Sequence, residues 1–374
     1  MNPELSVIGS GPAGLSAAVE SAKYGVKVEV IDENILPGGQ LFKQIHKFFG
    51  SKAHHAGIRG YDIGWKLLKE AEDVKVAIRL NTIAWGVFKS NSRSSIGLFD
   101  QQRVFLSKPK KLIVATGATE NPLSFPGSTL PGVMGAGAVQ TMINIHRVLP
   151  GRRVLMVGAG NVGLIVSYQL LQAGADVVAV VEAMPRIGGY LVHALKLMRA
   201  GIPILTSHTI LEAKGDREVE SATIAPLDKN GSIIGGGERE LEVDLICLAV
   251  GLRPDAELCR MLGCRFTYVP LLGGHVPIHN EDMETTIPGV YVVGDASGVE
   301  EASVAMEEGR LAGISVAESL GYITEGEAEN EKDKIRGRLR DFRIGPFGSP
   351  RQEGKNKILA EYRRWLHSEG RRSS

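Results

Sequence analysis

Twice in this chain of 374 residues, an apolar strand-length run empties into a glycine turn and then into a helix-forming stretch. "LSVIGSGPAGLSAAVESAKYGVKVEVID" lies near the N-terminus, and "RRVLMVGAGNVGLIVSYQLLQAGADVVAVVE" repeats that order about 150 residues later. Each reads strand, turn, helix, strand, the pattern from which parallel sheets are built. Two such units constrain the chain to the α/β class with two dinucleotide-binding domains.

The turns carry the chemistry. In Gly9-Ser10-Gly11-Pro12-Ala13-Gly14, the first glycine permits the tight turn and the second lets the backbone approach a pyrophosphate. The third allows close packing of helix on strand, and the helix N-terminus favours negative charge through its unpaired N–H groups. Asp32 stands 18 residues beyond Gly14, at the end of the second strand, where a carboxylate accepts ribose hydroxyls. The second turn, Gly158-Ala159-Gly160-Asn161-Val162-Gly163, is followed 19 residues later by Glu182. A carboxylate there repels a 2′-phosphate, which argues for NAD(H) over NADP(H). Arg186, four residues further on, can soften that preference.

Composition removes other classes. Lys and Arg number 43 against 42 Asp and Glu, a net charge of +1, which gives no electrostatic footprint for a nucleic-acid partner. No run is long enough to span a membrane. The apolar N-terminus lacks a basic leader, so a cytoplasmic protein is expected. The cysteines are three, Cys247, Cys259 and Cys264, without CxxC spacing. They are expected to be reduced and buried, and to form neither disulfides nor a metal site. His46, flanked by Lys43 and Lys47, is a proton carrier or carboxylate ligand on one reading and an uninvolved histidine on the other. His54 and His55 are assigned no function. No Ser/His/Asp triad or metal cluster is evident, and no side chain is designated catalytic.

Elsewhere, 111–117 ("KLIVATG") reads as a buried strand ending in a turn, and 121–132 as a loop. Alternating runs over 210–250 are split by "DKNGS", a hairpin signal. "YVVGDASG" at 291–298 reads as another buried strand, followed by a helix over 299–321. From Glu325 the chain becomes charged, with a Gly/Pro break in its middle. Within it, 355–366 fits an amphipathic helix with Ile358, Leu359, Tyr362 and Leu366 on one side. A solvated tail and a docking element are both open.

Together, "VIGSGPAGLSAAVESAKYGVKVEVIDEN…GGQ", "LIVATGA", "VLMVGAGNVG", "LAVGLRPD" and "TTIPGVYVVGDASG" resemble, in this order, the pyridine nucleotide-disulfide oxidoreductase superfamily. The likeness is to its two-domain flavoprotein reductases related to thioredoxin reductase, and it covers residues 4–322. The resemblance implies two Rossmann-like domains: an FAD domain from 1–124 and 253–324, and an NAD(P) domain of 125–252 inserted in it; the charged extension of 325–374 lies beyond the likeness. By the same resemblance Gly9, Gly11, Pro12, Ala13, Gly14, Asp32 and Glu33 hold the adenosine diphosphate of non-covalent FAD. Gly39 and Gln40 approach the flavin end, and Ala115, Thr116 and Gly117 form the passage to the second domain. Asp295 would bond the ribityl chain with Gly294 beside it, and a helix from about Ala302 would aim its N-terminus at the flavin. Gly158, Gly160, Asn161, Val162, Gly163, Glu182 and Gly251 would serve NAD(H) or another adenine nucleotide.

"LPGVMGAGAVQT" at 130–141 is a third glycine-rich stretch. It lies where thioredoxin reductase-like enzymes place their CxxC, yet no cysteine is near, so disulfide reduction is not expected. It reads as a glycine-rich crossover. "GGQLFKQIHKFFGSKAHHAGIRG" and "GGHVPIHNEDMETTIPGVYVVGD" are similar to sarcosine oxidase alpha-like and dye-linked proline dehydrogenase alpha-like subunits, with opine oxidases and hydrogen cyanide synthase as further relatives. Unlike many of those subunits, this chain has no Cys-rich iron–sulfur region. Two functions follow as expectations. One is an FAD oxidoreductase exchanging electrons between NAD(P)H and a partner or small acceptor. The other is the FAD-containing subunit of a heteromeric amine or amino-acid dehydrogenase, paired with a second flavoprotein subunit, whose second site holds an adenine nucleotide. A ferredoxin–NAD(P) reductase is a third possibility.

Overall fold

The computed structural model describes residues 3–48, 51–89 and 94–370. Phe49 and Gly50 of the "KQIHKFFGSKAHH" stretch, and 371–374 of the tail, lie outside the described residues. The chain divides into two compact units, Met1–Thr119 with Arg253–Ser374, and Glu120–Leu252.

The first unit begins with strand β1 (Leu5–Ile8), helix α1 (Pro12–Lys23), β2 (Val28–Ile31), α2 (Gly60–Asp73) and β3 (Ala77–Arg79). An antiparallel excursion follows, β4 (Ile83–Lys89), β5 (Ser94–Phe99) and β6 (Val104–Ser107), and then β7 (Lys111–Val114). A ribbon strand, β8 (Ala118–Glu120), leads out of it.

The second unit holds β9 (Val133–Gly135), α3 (Ala136–Thr141), β10 (Arg153–Val157), α4 (Asn161–Gln172), β11 (Asp176–Glu182), α5 (Leu191–Arg199) and β12 (Ile204–Thr206). The antiparallel strands β13 (His208–Lys214), β14 (Ser221–Pro226) and β15 (Arg239–Glu242) follow, and β16 (Leu245–Leu248) closes the unit. Between β14 and β15, Asp228 Oδ1 accepts the N–H groups of Asn230 and Ser232, both at 2.8 Å, so "DKNGS" is a turn.

β17 (Leu252–Pro254) pairs with β8 as the chain returns. The first unit is then completed by α6 (Glu257–Met261), β18 (Phe266–Val269), β19 (Gly274–Pro277), β20 (Val290–Val292), α7 (Ala302–Ser319), α8 (Glu325–Phe342) and α9 (Gly345–Gly370).

Each unit is centred on a five-stranded parallel sheet, in the orders β20-β7-β1-β2-β3 and β12-β11-β10-β16-β9. The central strands are buried along their length, Leu5–Ile8 in one and Val154–Val157 in the other. Such strands read as unbroken apolar runs because helices cover both faces. In the first unit α1 and α7 cross with almost no side chain between them. A Cβ on Gly309 would stand 2.1 Å from Ala13 O, and one on Gly313 2.7 Å from Ala17 O. Ser21 Oγ closes the crossing by donating to Gly313 O at 3.0 Å. This contact fixes where α7 begins relative to the first glycine turn.

Two sequence expectations are corrected. The 130–141 stretch is no crossover: it forms β9, at the edge of the second sheet, and the whole of α3. Gly135 and Gly137 are required by Glu120, whose Oε1 accepts Gly137 N at 2.6 Å and whose Oε2 lies 2.3 Å from where a Gly135 Cβ would stand. The Gly/Pro break in the tail stands at 343–345, where α8 ends at Phe342 and α9 starts at Gly345 with a φ of +74°; α9 then runs on through Gly348, Pro350 and Gly354. Finally, Leu366 is exposed, and α9 buries Ile358 with Trp365 against Val269, Leu272, Val276 and Ile278.

Candidate functional site

The first turn is held by backbone contacts. Gly9 has a φ of +103°, and a Cβ on it would stand 2.3 Å from Ala115 O. A Cβ on Gly14 would stand 1.9 Å from Gly9 O. Both glycines are dictated by packing of the protein on itself. Gly11 is not, because a Cβ there meets nothing within 4 Å. It is the N-cap of α1 and makes no side-chain cap, so the first N–H groups of the helix face that open space without a partner from the cap residue. An opening bounded by bare amides is an anion cradle. Gly39, whose Cβ would stand 2.9 Å from Gly11 Cα, borders it, and Gly38 N donates to Ser10 O at 2.8 Å.

The second turn repeats this arrangement. A Cβ on Gly158 would stand 2.3 Å from Ala249 O, one on Gly163 2.0 Å from Gly158 O, and one on Gly160 near nothing within 4 Å. Gly160 caps α4, again without a side-chain cap.

The two carboxylates differ. Asp32 is buried and already has four donors. Its Oδ2 accepts Ser10 N at 2.7 Å and Ser10 Oγ at 2.6 Å, and its Oδ1 accepts Asn34 N at 2.9 Å and Asn34 Nδ2 at 2.8 Å. That occupies all the lone-pair positions of a carboxylate. Glu182 has two, Ala159 N at 2.8 Å and Met184 N at 2.9 Å, which leaves acceptor capacity on each oxygen. Val162 and Arg186 are exposed. Asn161 Oδ1 accepts Tyr190 N at 2.8 Å, which ties the 184–190 loop over the second turn.

Other predicted residues gather around the first turn. Ala115 N donates to Ile8 O at 2.8 Å; Thr116 Oγ1 donates to Asp255 O, and Gly117 O accepts Asp255 N at 2.9 Å. A Cβ on Gly294 would stand 2.8 Å from Ala13 Cβ, so the Gly294–Ser297 turn lies directly against the start of α1. Asp295 is half-buried, its Oδ1 accepts Glu300 N at 3.2 Å, and burial raises its carboxyl to about 6. α7 begins at Ala302 without a side-chain cap. Glu33 and Gln40 are exposed beside this group, whereas Gly251 sits in the second unit, its carbonyl accepting Asn121 N at 3.0 Å.

Several residues were not legible as site components. Glu308, buried in α7, accepts Gly294 N at 3.1 Å and stands 2.8 Å from Ser297 Oγ. Its other oxygen accepts Arg343 and Lys355, and though burial pushes its carboxyl up, those two cations bring it down to about 2. His54, assigned no role from sequence, is buried with Nδ1 2.8 Å from Ser51 Oγ and Nε2 2.8 Å from Glu307 Oε1. His46 stacks on Phe48 at 5.4 Å between centroids. The only sequence signal for Arg343 and Lys355 is the charge of the 325–374 segment, which does not say which cations turn inward.

All three cysteines are buried and none forms a disulfide. Burial raises the Cys247 thiol, and a hydrogen bond with Cys264 together with burial raises that of Cys259. Among the described residues no cluster of His, Cys, Asp or Glu could hold a metal, and no helix is long and apolar enough to cross a membrane.

Residues 3–309 match the family described as pyridine nucleotide-disulphide oxidoreductase. The opine oxidase A subunit of Rhizobium meliloti (strain 1021) is 32% identical over 340 residues, covering 84% of this chain and 71% of that protein. The sarcosine oxidase alpha subunit of the same organism is 26% identical, with 85% of this chain and 31% of that protein covered. Among solved structures, the thioredoxin reductase of T. acidophilum superposes with a TM-score of 0.71 at 22% identity, over 85% of this chain and 99% of that one.

Proposed function

Because the chain belongs to the pyridine nucleotide-disulphide oxidoreductase family, we propose that it is an oxidoreductase holding FAD non-covalently at its first glycine turn and NAD(H) at its second. Electrons pass between the nucleotide and a partner protein or a small acceptor. The observation that carries this reading is the pair Gly11 and Gly160, the two glycines of the six that protein packing does not require. Each faces open space beside an uncapped helix N-terminus, which suits a pyrophosphate.

FAD, when bound, supplies the electron chemistry, and the chain positions it. The N–H groups at the start of α1 hold the pyrophosphate. Asp32 accepts a ribose hydroxyl only by releasing Ser10 Oγ or Asn34 Nδ2. Asp295 serves the ribityl chain, and the N-terminus of α7 favours negative charge at the flavin by about 0.3–1 kcal/mol. Glu182, with acceptor capacity to spare, takes the ribose of NAD(H). Thiol exchange has no support. The three cysteines are buried with their thiols raised or bonded, and 134–138, where a CxxC would stand, is Met-Gly-Ala-Gly-Ala.

A second reading is favoured by the names of the relatives, which are subunits of opine and sarcosine oxidases. In it the chain is the FAD-containing subunit of a heteromeric amine or amino-acid dehydrogenase, and the second turn keeps an adenine nucleotide without turnover. The Asn161–Tyr190 tie over that turn suits a resident ligand. Mixing the flavin-loaded chain with NADH without oxygen separates the two. Rapid bleaching of the flavin band supports the reductase. No bleaching, with tight ADP or ATP binding, supports the dehydrogenase component. If the chain takes up no FAD at all, both readings fail.

A further inference from the structure

The turn from Gly294 to Ser297 lies over a buried ionic network whose anions and cations come from different parts of the chain. Glu300 and Glu308 lie within the segment matched to the family, which ends at residue 309. Arg343 and Lys355 lie beyond it, at the end of α8 and in α9. Lys355 is 2% exposed. Its Nζ stands 2.8 Å from Glu308 Oε1, 2.9 Å from Ser297 Oγ, 3.2 Å from Ser297 O and 3.7 Å from Glu300 Oε1. Arg343 donates from NH2 to Glu300 Oε1 and Glu308 Oε1, both at 2.7 Å, and from Nε to Glu300 Oε2 at 3.1 Å. Glu308 Oε2 is thereby left to hold Gly294 N and Ser297 Oγ. One helical position earlier Glu307 is treated alike, with Arg338 of α8 donating to its Oε2 at 2.8 Å.

We infer that Lys355 and Arg343 are positioning residues for the flavin: the C-terminal helices supply the counter-charge that keeps Glu308 ionised beneath the Gly294–Ser297 turn, and so present Asp295 to the cofactor. This rests on the FAD reading above. A buried glutamate without its cations takes up a proton or turns away, because an unpaired charge is costly in a buried site. Either response loosens the grip on Gly294 N and Ser297 Oγ. The segment that sequence leaves as a tail is, on this inference, part of the cofactor site. Lys355 contributes a second effect through space, since a fixed cation under this turn favours the added negative charge of the reduced cofactor.

The test compares Lys355→Met, Lys355→Gln and Lys355→Arg with the wild type, reading the FAD dissociation constant and the midpoint potential of bound FAD. The Met and Gln variants are expected to bind FAD at least tenfold more weakly, with the potential of what remains bound shifted to more negative values. Lys355→Arg restores most of the potential, because it keeps the charge. If Lys355→Met does not fold, Lys355→Gln decides, since it removes the charge and keeps a polar donor, one atom shorter, on the Ser297 side. Wild-type affinity and potential in a folded Lys355→Gln would overturn the inference while leaving the FAD reading intact. A wild-type chain that takes up no FAD fails the underlying reading instead. A role in packing alone would lower the unfolding temperature and leave the potential unmoved, which also counts against the inference.

Discussion

Gly11 and Gly14 belong to one motif, yet they are glycine for different reasons, and substitution separates them. A Cβ at Gly14 collides with Gly9 O at 1.9 Å, and backbone on both sides leaves nothing able to yield. Gly14→Ala is therefore expected to cost about 3 kcal/mol or more of stability, measured by urea unfolding of the cofactor-free chain. Gly11 has a φ of −71° and open space beside it, so Gly11→Val leaves the apo chain within about 1 kcal/mol of wild type. It abolishes FAD retention, because the added methyl groups fill the volume the pyrophosphate needs. A Gly11→Val protein that purifies fully yellow would remove the first turn from the site. Such glycines are legible in a sequence because a missing Cβ is itself the functional feature. The four donors on Asp32 are not. Ser10 and Asn34 are ordinary turn residues whose role emerges only when β1 and β2 lie side by side, Ile8 opposite Ile31.

At the scale of elements, the strand–turn–helix–strand units are readable because local periodicity and burial agree there, whereas α9 is a case in which local signals point the wrong way. Gly348, Pro350 and Gly354 read as breakers, yet two of them are points of close approach. A Cβ on Gly348 would stand 2.6 Å from Phe342 O, and one on Gly354 2.9 Å from Leu272 Cγ. Tertiary packing has overridden helix propensity, which is worth only about 1 kcal/mol for a glycine. The same packing chose Ile358 and Trp365 over Leu366 for the buried face. Gly354→Val is thus expected to destabilise by about 1–3 kcal/mol through overpacking against Leu272 and Val269. Gly337→Ala is its control, also a helical glycine, but with only the Arg340 guanidinium nearby at 3.8 Å. It should stabilise by about 0.5–1 kcal/mol. Equal effects of the two in thermal unfolding would mean that propensity rather than packing sets the behaviour of α8 and α9.

Over the whole molecule, the two sheets were legible because each is announced by its own glycine turn, whereas the ionic core beneath α7 joins residues more than 30 apart and leaves no local pattern. That core sets how stability responds to acid. His279 is buried, with Nδ1 2.8 Å from Asn280 O, and burial, then Lys355, lowers its pKa from 6.5 to about 4. Its contribution is complete above pH 6.5 and is lost as the pH falls through 4, a difference of about 3 kcal/mol. Asp295 acts in the opposite sense: burial raises its pKa from 3.8 to about 6, so its contribution is present below 3.8 and lost as the pH rises through 6. Glu308, held near 2, adds stability above 4.5 that disappears only in stronger acid. Between pH 7.5 and 4.5 the Asp295 slope in the cofactor-free wild type therefore offsets much of the His279 slope. Asp295→Asn removes one of them. That variant should be more stable than wild type at pH 7.5 and lose about 2 kcal/mol more than wild type on descending to pH 4.5, read from urea midpoints at the two values. Parallel pH dependences for the two proteins would mean that Asp295 is solvated in the folded chain, and that burial beneath α7 does not hold its proton.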